Sequence, residues 1–321
     1  MSKEILGIHH VTAIAGDPQQ NLDFYTGVLG LRLVKLTVNY DDPQTYHFYY
    51  GDGQGHPGTI LTFFPWPKAK KGRQGTGQVT VTAFSVSDDA LPFWAKRFSA
   101  QSIQFEGPYS RFQGKVIAFS DPDGLQLELV SGATLSPNRA WQHGPVPSEY
   151  AIHGFHSATL TEEGYEKTAS LLTETLGFRL IHREGNRFRY AVGPDQASSA
   201  VDVLCTPAAS MGRVAVGTVH HIAWRTADDR QQDEWHREIA GQGYNISTVM
   251  DRKYFRSIYF REPGGVLFEI ATDRPGFTVD EPLENLGEKL VLPDWLEAHR
   301  RQVEARLPPL QLSKGESARS A

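Results

Sequence analysis

The 321-residue chain has a single cysteine, Cys205, which excludes an internal disulfide and any cysteine-rich zinc site. Cys205 follows the apolar run Ala200–Leu204, so burial as a small hydrophobe is expected rather than nucleophilic chemistry. No apolar run approaches the roughly 20 residues of a membrane span. Met1–Leu6 offers no stretch long enough for a signal peptide, and the cytoplasm is the expected compartment. Positive charge is not in excess either. With 32 Lys and Arg against 37 Asp and Glu, the formal net charge is -5. No basic stripe follows a phosphate backbone, and nucleic acid is not an expected partner.

What is present is enough apolar sequence for more than one core. At 321 residues the length suggests two domains of roughly 150 residues each. Internal repetition is the strongest feature. Four segments share one plan: an alternating apolar strand, a helix, then strands ending in an apolar-acidic run. The first opens with Gly7-Ile8-His9-His10-Val11-Thr12-Ala13-Ile14, and its helix Pro18–Val28 stops at Gly30 before a strand Leu31–Leu36. The second opens near Val79–Val86, takes a helix around Ala90–Phe98, and closes on Asp121-Pro122-Asp123-Gly124-Leu125-Gln126-Leu127-Glu128. The third opens with Gly154-Phe155-His156-Ser157-Ala158-Thr159-Leu160, and its Leu176-Gly177-Phe178-Arg179-Leu180 echoes Leu29-Gly30-Leu31-Arg32-Leu33. The fourth opens with Val219-His220-His221-Ile222-Ala223-Trp224 and closes on Glu262-Pro263-Gly264-Gly265-Val266-Leu267-Phe268-Glu269.

Pro and Gly at a tight reversal before a period-two strand are hairpin grammar. The chain is therefore α+β, built of four βαβββ modules with curved mixed sheets that form two domains. The non-periodic stretch rich in Pro, Ser and Asn between Leu135 and Tyr150 divides the modules two and two. The expected plan is an N-terminal domain over 1–136, a linker over 137–150, a C-terminal domain over 151–273 and a tail over 274–321. In the tail, Pro293–Leu307 reads as one amphipathic docking helix with Trp295, Leu296, Val303 and Leu307 on one side, and Ser313–Ala321 is expected to be disordered.

These openings and closures resemble the vicinal-oxygen-chelate superfamily of glyoxalases, bleomycin-resistance proteins and extradiol dioxygenases, over nearly the whole chain. The doublets His9-His10 and His220-His221 in their strands are similar to its ring-cleaving branch, which includes enzymes acting on hydroquinones and their chlorinated forms. The superfamily signature alone is less specific, because the one fold hosts isomerases, thiol transferases, epimerases and dioxygenases.

Only one member of each doublet can face the cupped side of its strand. Bulky Ile222 and Trp224 suit the helix-packed side and small Ala223 the crowded side, which turns His221 inward; the same register turns His10 inward. The opposite register, with His9 or His220 as ligand, stays open. Alternation also sets Glu269 against Phe268 and Ile270, and a buried strand carboxylate needs a countercharge. A metal held by His10, His221 and Glu269 supplies one. Two imidazoles and a carboxylate are the facial set of non-heme Fe(II) enzymes, so Fe(II) is preferred, with Mn, Zn and Ni as alternatives.

In the better-known extradiol dioxygenases the first histidine comes from the third module, which would be His156. The hydroquinone branch uses the first module, and His10 is preferred. Glu128 and His156 read as the repeat equivalents of Glu269 and His10, a vestigial site lacking a further histidine. The resemblance also carries Arg252 and Tyr259 over as groups flanking the metal, with His9 and His220 placed for proton transfer. It implies a small aromatic diol and dioxygen as partners, in a monomer or a homo-oligomer. A metal-dependent isomerase or thiol transferase without oxygen chemistry is the alternative.

Overall fold

The structure, a computed structural model, describes residues 3–132, 140–193 and 199–312. The expected disorder of Ser313–Ala321 lies outside the described residues.

All four modules form. The first comprises β1 (Ile8–Ala15), helix α1 (Pro18–Leu22) widening into a π-type turn over Asp23–Val28, and strands β2 (Arg32–Asn39), β3 (Asp42–Gly51) and β4 (Ile60–Pro65). Asp17 starts the helix by accepting the Gln20 N–H, with Pro18 at the first position. Gly30 ends it at φ +70, and its counterpart Gly177 at φ +77, in the left-handed region that favours glycine. The second module holds β5 (Gln78–Ser85), α2 (Ala90–Ala100), β6 (Phe105–Arg111), β7 (Gly114–Ser120) and β8 (Gln126–Val130). The third holds β9 (Phe155–Glu162), α3 (Glu166–Ser170) with its π-type turn Leu171–Thr175, β10 (Arg179–Glu184), β11 (Arg187–Ala191) and β12 (Ala200–Cys205). The fourth holds β13 (Thr218–Thr226), α4 (Asp229–Gly241), β14 (Met250–Asp251), β15 (Arg256–Arg261) and β16 (Leu267–Thr272).

The strands make two eight-stranded mixed sheets, ordered β14-β15-β16-β13-β1-β4-β3-β2 and β10-β11-β12-β9-β5-β8-β7-β6. Each is a curled half-barrel whose convex side carries the helices. Module one thus joins module four, and module two joins module three. The sheets run across the expected two-and-two division because β1 pairs antiparallel with β13, and β5 with β9. Of the expected linker, Trp141 lies under the Arg32 guanidinium and Val146 is buried against Gly30.

Alternation works as expected in β13. Ile222 and Trp224 belong to the main core with the helices, whereas Ala223 faces a second cluster with Val34, Tyr49, Ile60, Tyr254 and Phe255 on the concave side. Phe277, from the tail, packs into that concave cluster. Buried Lys35 on β2 anchors the tail through Asp280 at 2.6 Å and through Glu281. Where a single helix was expected, the tail has two short ones, α5 (Asp294–Glu297) and α6 (Arg300–Glu304), separated at His299. Val303 and Leu307 are buried, while Trp295 is 59% exposed and touches Tyr40 edge-on. Cys205 is half-buried rather than fully covered.

Candidate metal centre

Because β1 and β13 are neighbours and β13 pairs with β16, the two ends of the chain converge on one concave face. Register sets His10 opposite Ala223, and Ala223 opposite Glu269. His10, His221 and Glu269 are all buried, and one ligand-type atom from each lies within 4.8 Å of the others. The two Nε2 atoms are 3.3 Å apart, and Glu269 Oε2 lies 2.9 Å from that of His221 and 3.3 Å from that of His10. Despite these distances Glu269 Oε2 has no directed hydrogen bond. Its other oxygen accepts the buried Ser257 hydroxyl, so Ser257 fixes which oxygen faces the imidazoles. Ser257 was not singled out from sequence; its only signal is that period-two spacing puts it on the face of Tyr259.

The first doublet sets the tautomer of His10. His9 lies with Nε2 3.1 Å from the Thr272 carbonyl, which only accepts, and Nδ1 2.9 Å from His10 Nδ1. Burial, then the neighbouring His10 charge, depresses His9 well below the usual imidazole range, so it is neutral. It therefore donates from Nε2 and accepts at Nδ1. His10 must then carry its proton on Nδ1, leaving a lone pair on Nε2. In the second doublet His220 Nδ1 likewise lies 2.8 Å from His221 Nδ1. Burial lowers His221 against the opposing pull of Glu269, and burial together with His221 brings His220 down to about 3. Burial alone would raise the Glu269 carboxyl; the facing His10 and His221 instead hold it well below the carboxylate range. Two imidazole Nε2 atoms and a carboxylate oxygen thus converge on one point, and such a donor set fits a divalent cation. The opposite register would turn the anchored His9 away from Thr272.

Tyr259 pairs directly with Glu269 across β15 and β16, and its ring lies 5.7 Å from that of His221. Arg252 reaches the Tyr259 hydroxyl from Nε at 3.4 Å, and its Nη1 lies 3.0 Å from Asp41. Burial, then Glu269, raises the Tyr259 hydroxyl above its ordinary value, so it is protonated at neutral pH. Phe255 forms the apolar wall, its ring 4.9 Å from His9 and 5.0 Å from His10. A polar row also escaped the sequence reading: Thr12 Oγ1 lies 2.8 Å from Thr62 Oγ1, which lies 3.0 Å from His47 Nε2.

His156 belongs elsewhere. Register places Ser157, not His156, opposite Ala83 and hence at the position of His10. His156 corresponds to His9, and it sits in the other half-barrel. Counting from Gly7 and Gly154 gives the same answer. Glu128 pairs with Arg111, with Nη1 at 2.6 Å and Nη2 at 2.9 Å, a structural role.

The fold is that of the vicinal-oxygen-chelate class. The family model described as Glyoxalase/Bleomycin resistance protein/Dioxygenase superfamily matches residues 7–129 and 154–270, and the chain belongs to that superfamily. It is 49% identical over 315 residues to "Putative ring-cleaving dioxygenase MhqO" of Bacillus subtilis (strain 168), covering 97% of this chain and 99% of that one. A "Chlorohydroquinone/hydroquinone 1,2-dioxygenase" of Sphingobium indicum is 35% identical, covering 94% of this chain and 96% of that one. A solved "putative dioxygenase" from Bacillus subtilis subsp. subtilis str. 168 superposes with a TM-score of 0.92 at 47% identity, covering 98% of this chain and 100% of that one. Within the superfamily, the chain is an enzyme of the ring-cleaving dioxygenase kind.

Proposed function

We propose that the chain is an Fe(II)-dependent dioxygenase that opens the ring of a hydroquinone- or catechol-type aromatic with O2, holding the metal through His10, His221 and Glu269. The observation that carries this reading is the convergence of three buried ligand-type atoms from the first and last modules within 4.8 Å of one another. Mn, Zn and Ni fit the same donors less selectively. A ferrous ion bound there would supply open positions for the diol and dioxygen together, making their encounter intramolecular.

The chain's own residues then have distinct tasks. His9 fixes the tautomer of His10, and His9 and His220 orient the rings of His10 and His221. His9 is closed off by Thr272, whereas His220 is half-buried beside Phe64 and is the doublet member able to exchange a proton with the site. The Tyr259 hydroxyl, protonated and next to Arg252, donates a hydrogen bond toward a substrate oxygen, and the guanidinium stabilises negative charge on that oxygen. Phe255 excludes water on the opposite wall.

Metal analysis of anaerobically purified protein, followed by oxygen uptake with hydroquinone and catechol panels, tests the reading. Ferrous iron should restore uptake lost on oxidation. Full activity with Zn or Ni and no oxygen consumption would replace it with the isomerase or thiol-transferase alternative. Tyr259→Phe should keep metal content and slow turnover by about 100-fold; unchanged turnover removes Tyr259 from the reaction.

A further inference from the structure

The first half-barrel is closed by a contact that its role as a scaffold does not require. β14 and β2 are the opposite edges of its sheet. Arg252 follows β14, and Asp41 stands at the turn between β2 and β3, so the 3.0 Å pair they make bridges the mouth from edge to edge. The Asp41 side chain is 63% exposed while that of Arg252 is 18% exposed. A carboxylate this wet holds its partner weakly and is readily exchanged. Beside it lies a permanent tie: buried Lys35, on β2, binds Asp280 and Glu281, and Asp280 also accepts from Tyr254 at 3.1 Å and lies 3.1 Å from Lys253. Asp41 is thus not needed to hold the edges together.

The other half-barrel supports the distinction. Its edges are β10 and β6, and they are bridged by the ring of Phe112, just beyond β6, stacked 5.4 Å from that of His182 on β10. There the closure is ring on ring, with Arg189 beneath Phe112. Among the described residues, only the half with the His-His-Glu set closes its mouth with an exposed anion on an arginine that also touches Tyr259.

We propose that Asp41 is an exchangeable counterion that occupies Arg252 in the free enzyme and gives way to the phenolate oxygen of the aromatic substrate. Asp41 therefore sets how strongly ionised phenols are preferred over neutral ones. This rests on the dioxygenase reading above and names the charge state of its substrate. Asp41 is a selectivity residue; it does not touch the reacting atoms.

The test is Asp41→Asn, with Asp41→Glu as the conservative variant. Ferrous protein without oxygen is titrated with 4-nitrocatechol, an ionised chromophoric diol, and with catechol. For Asp41→Asn the dissociation constant for nitrocatechol should fall roughly two- to five-fold, that for catechol should change less, and Asp41→Glu should restore the original value. In the absence of metal and diol, phenylglyoxal should modify Arg252 faster in Asp41→Asn than in the unaltered chain, read by peptide mass. Weaker or unchanged nitrocatechol binding, or an unchanged labelling rate, overturns the proposal. Labelling requires no turnover, so it decides on Asp41 even where oxygen uptake fails and the dioxygenase reading falls.

Discussion

The two half-barrels share strands, register and curvature, yet solve one electrostatic problem in opposite ways. Each has a glutamate at the same point of a closing strand, Glu269 on β16 and Glu128 on β8, both nearly inaccessible. In the first, the positions facing that carboxylate are His10 and His221; in the second, the same register gives Ser157 and Val81. With no imidazoles to help hold a cation, Glu128 takes the bidentate guanidinium of Arg111. The flanking row changes in step. Thr12, Thr62 and His47 form a neutral chain in the first half, whereas Thr159, Asp202 and Arg187 form a charged one in the second, tied further by Arg189. The fold asks only that the strand carboxylate be compensated. Whether a metal or a guanidinium does so decides which half can carry chemistry.

This contrast breaks first at the carboxylates. Glu269→Gln keeps the shape and removes the charge, and metal affinity measured by chelator competition should fall by at least about 100-fold. Glu128→Gln should leave metal content unchanged; if it lowered the content as much, the second half would hold metal too. Next comes the guanidinium. Arg111→Met strands Glu128 without a countercharge and should cost about 3 kcal/mol in urea unfolding. Adding Glu128→Leu should recover most of that loss, because the apolar pair needs no compensation. A single Arg111→Met change without effect would show that Glu128 is hydrated rather than buried.

Much of the first half was legible because its signals are local. The doublets, the small Ala223 between Ile222 and Trp224, and the ten-residue step from Tyr259 to Glu269 each follow from strand alternation, and the structure pairs Tyr259 with Glu269. What stayed hidden depends on distant strands. Nothing near Gly7 or Val219 states that module one will pair with module four instead of module two, since every module offers a similar apolar edge. Arg111 ends a strand without an apolar pattern, and Asp41 looks like any turn residue until curvature brings it to Arg252. His156 was matched to His10 through residue type alone. Its neighbour Ser157 occupies that place, and His156 Nδ1 lies 3.0 Å from Ser157 Oγ as His9 lies against His10.

The smallest difference lies between the two seams that join the half-barrels, where each closing turn meets the opening strand of its neighbour along the chain. In one seam the strand ends in Ala15, and the turn supplies Asp123, whose carboxylate accepts the Gly16 N–H at 2.7 Å. In the other the strand supplies Glu162 and the turn has Gly264, where an added Cβ would sit 1.3 Å from Glu162 Oε2. Both arrangements bury an acid at the head of the turn. Asp121 accepts from Tyr25 and the Leu125 N–H, and Glu262 from Thr168 and the Val266 N–H. Burial is the main cause that lifts Asp121 to about 6, whereas burial together with the Glu262 charge lifts Glu162 to about 8. An unfolded glutamate loses its proton near about 4.3, so between that pH and about 8 the folded chain binds the extra proton. Stability attributable to Glu162 is therefore present in acid and declines as pH rises, by at most about 1.4 kcal/mol per pH unit. Glu162→Gln should match the unaltered chain near pH 4, gain on it steadily to pH 8, and hold a constant advantage above that in thermal unfolding. For Asp121 the corresponding decline ends near pH 6. Parallel stability curves for the two proteins across this range would show that Glu162 is ionised in the folded state, and that the exchange of Asp123 for Glu162 carries no electrostatic difference.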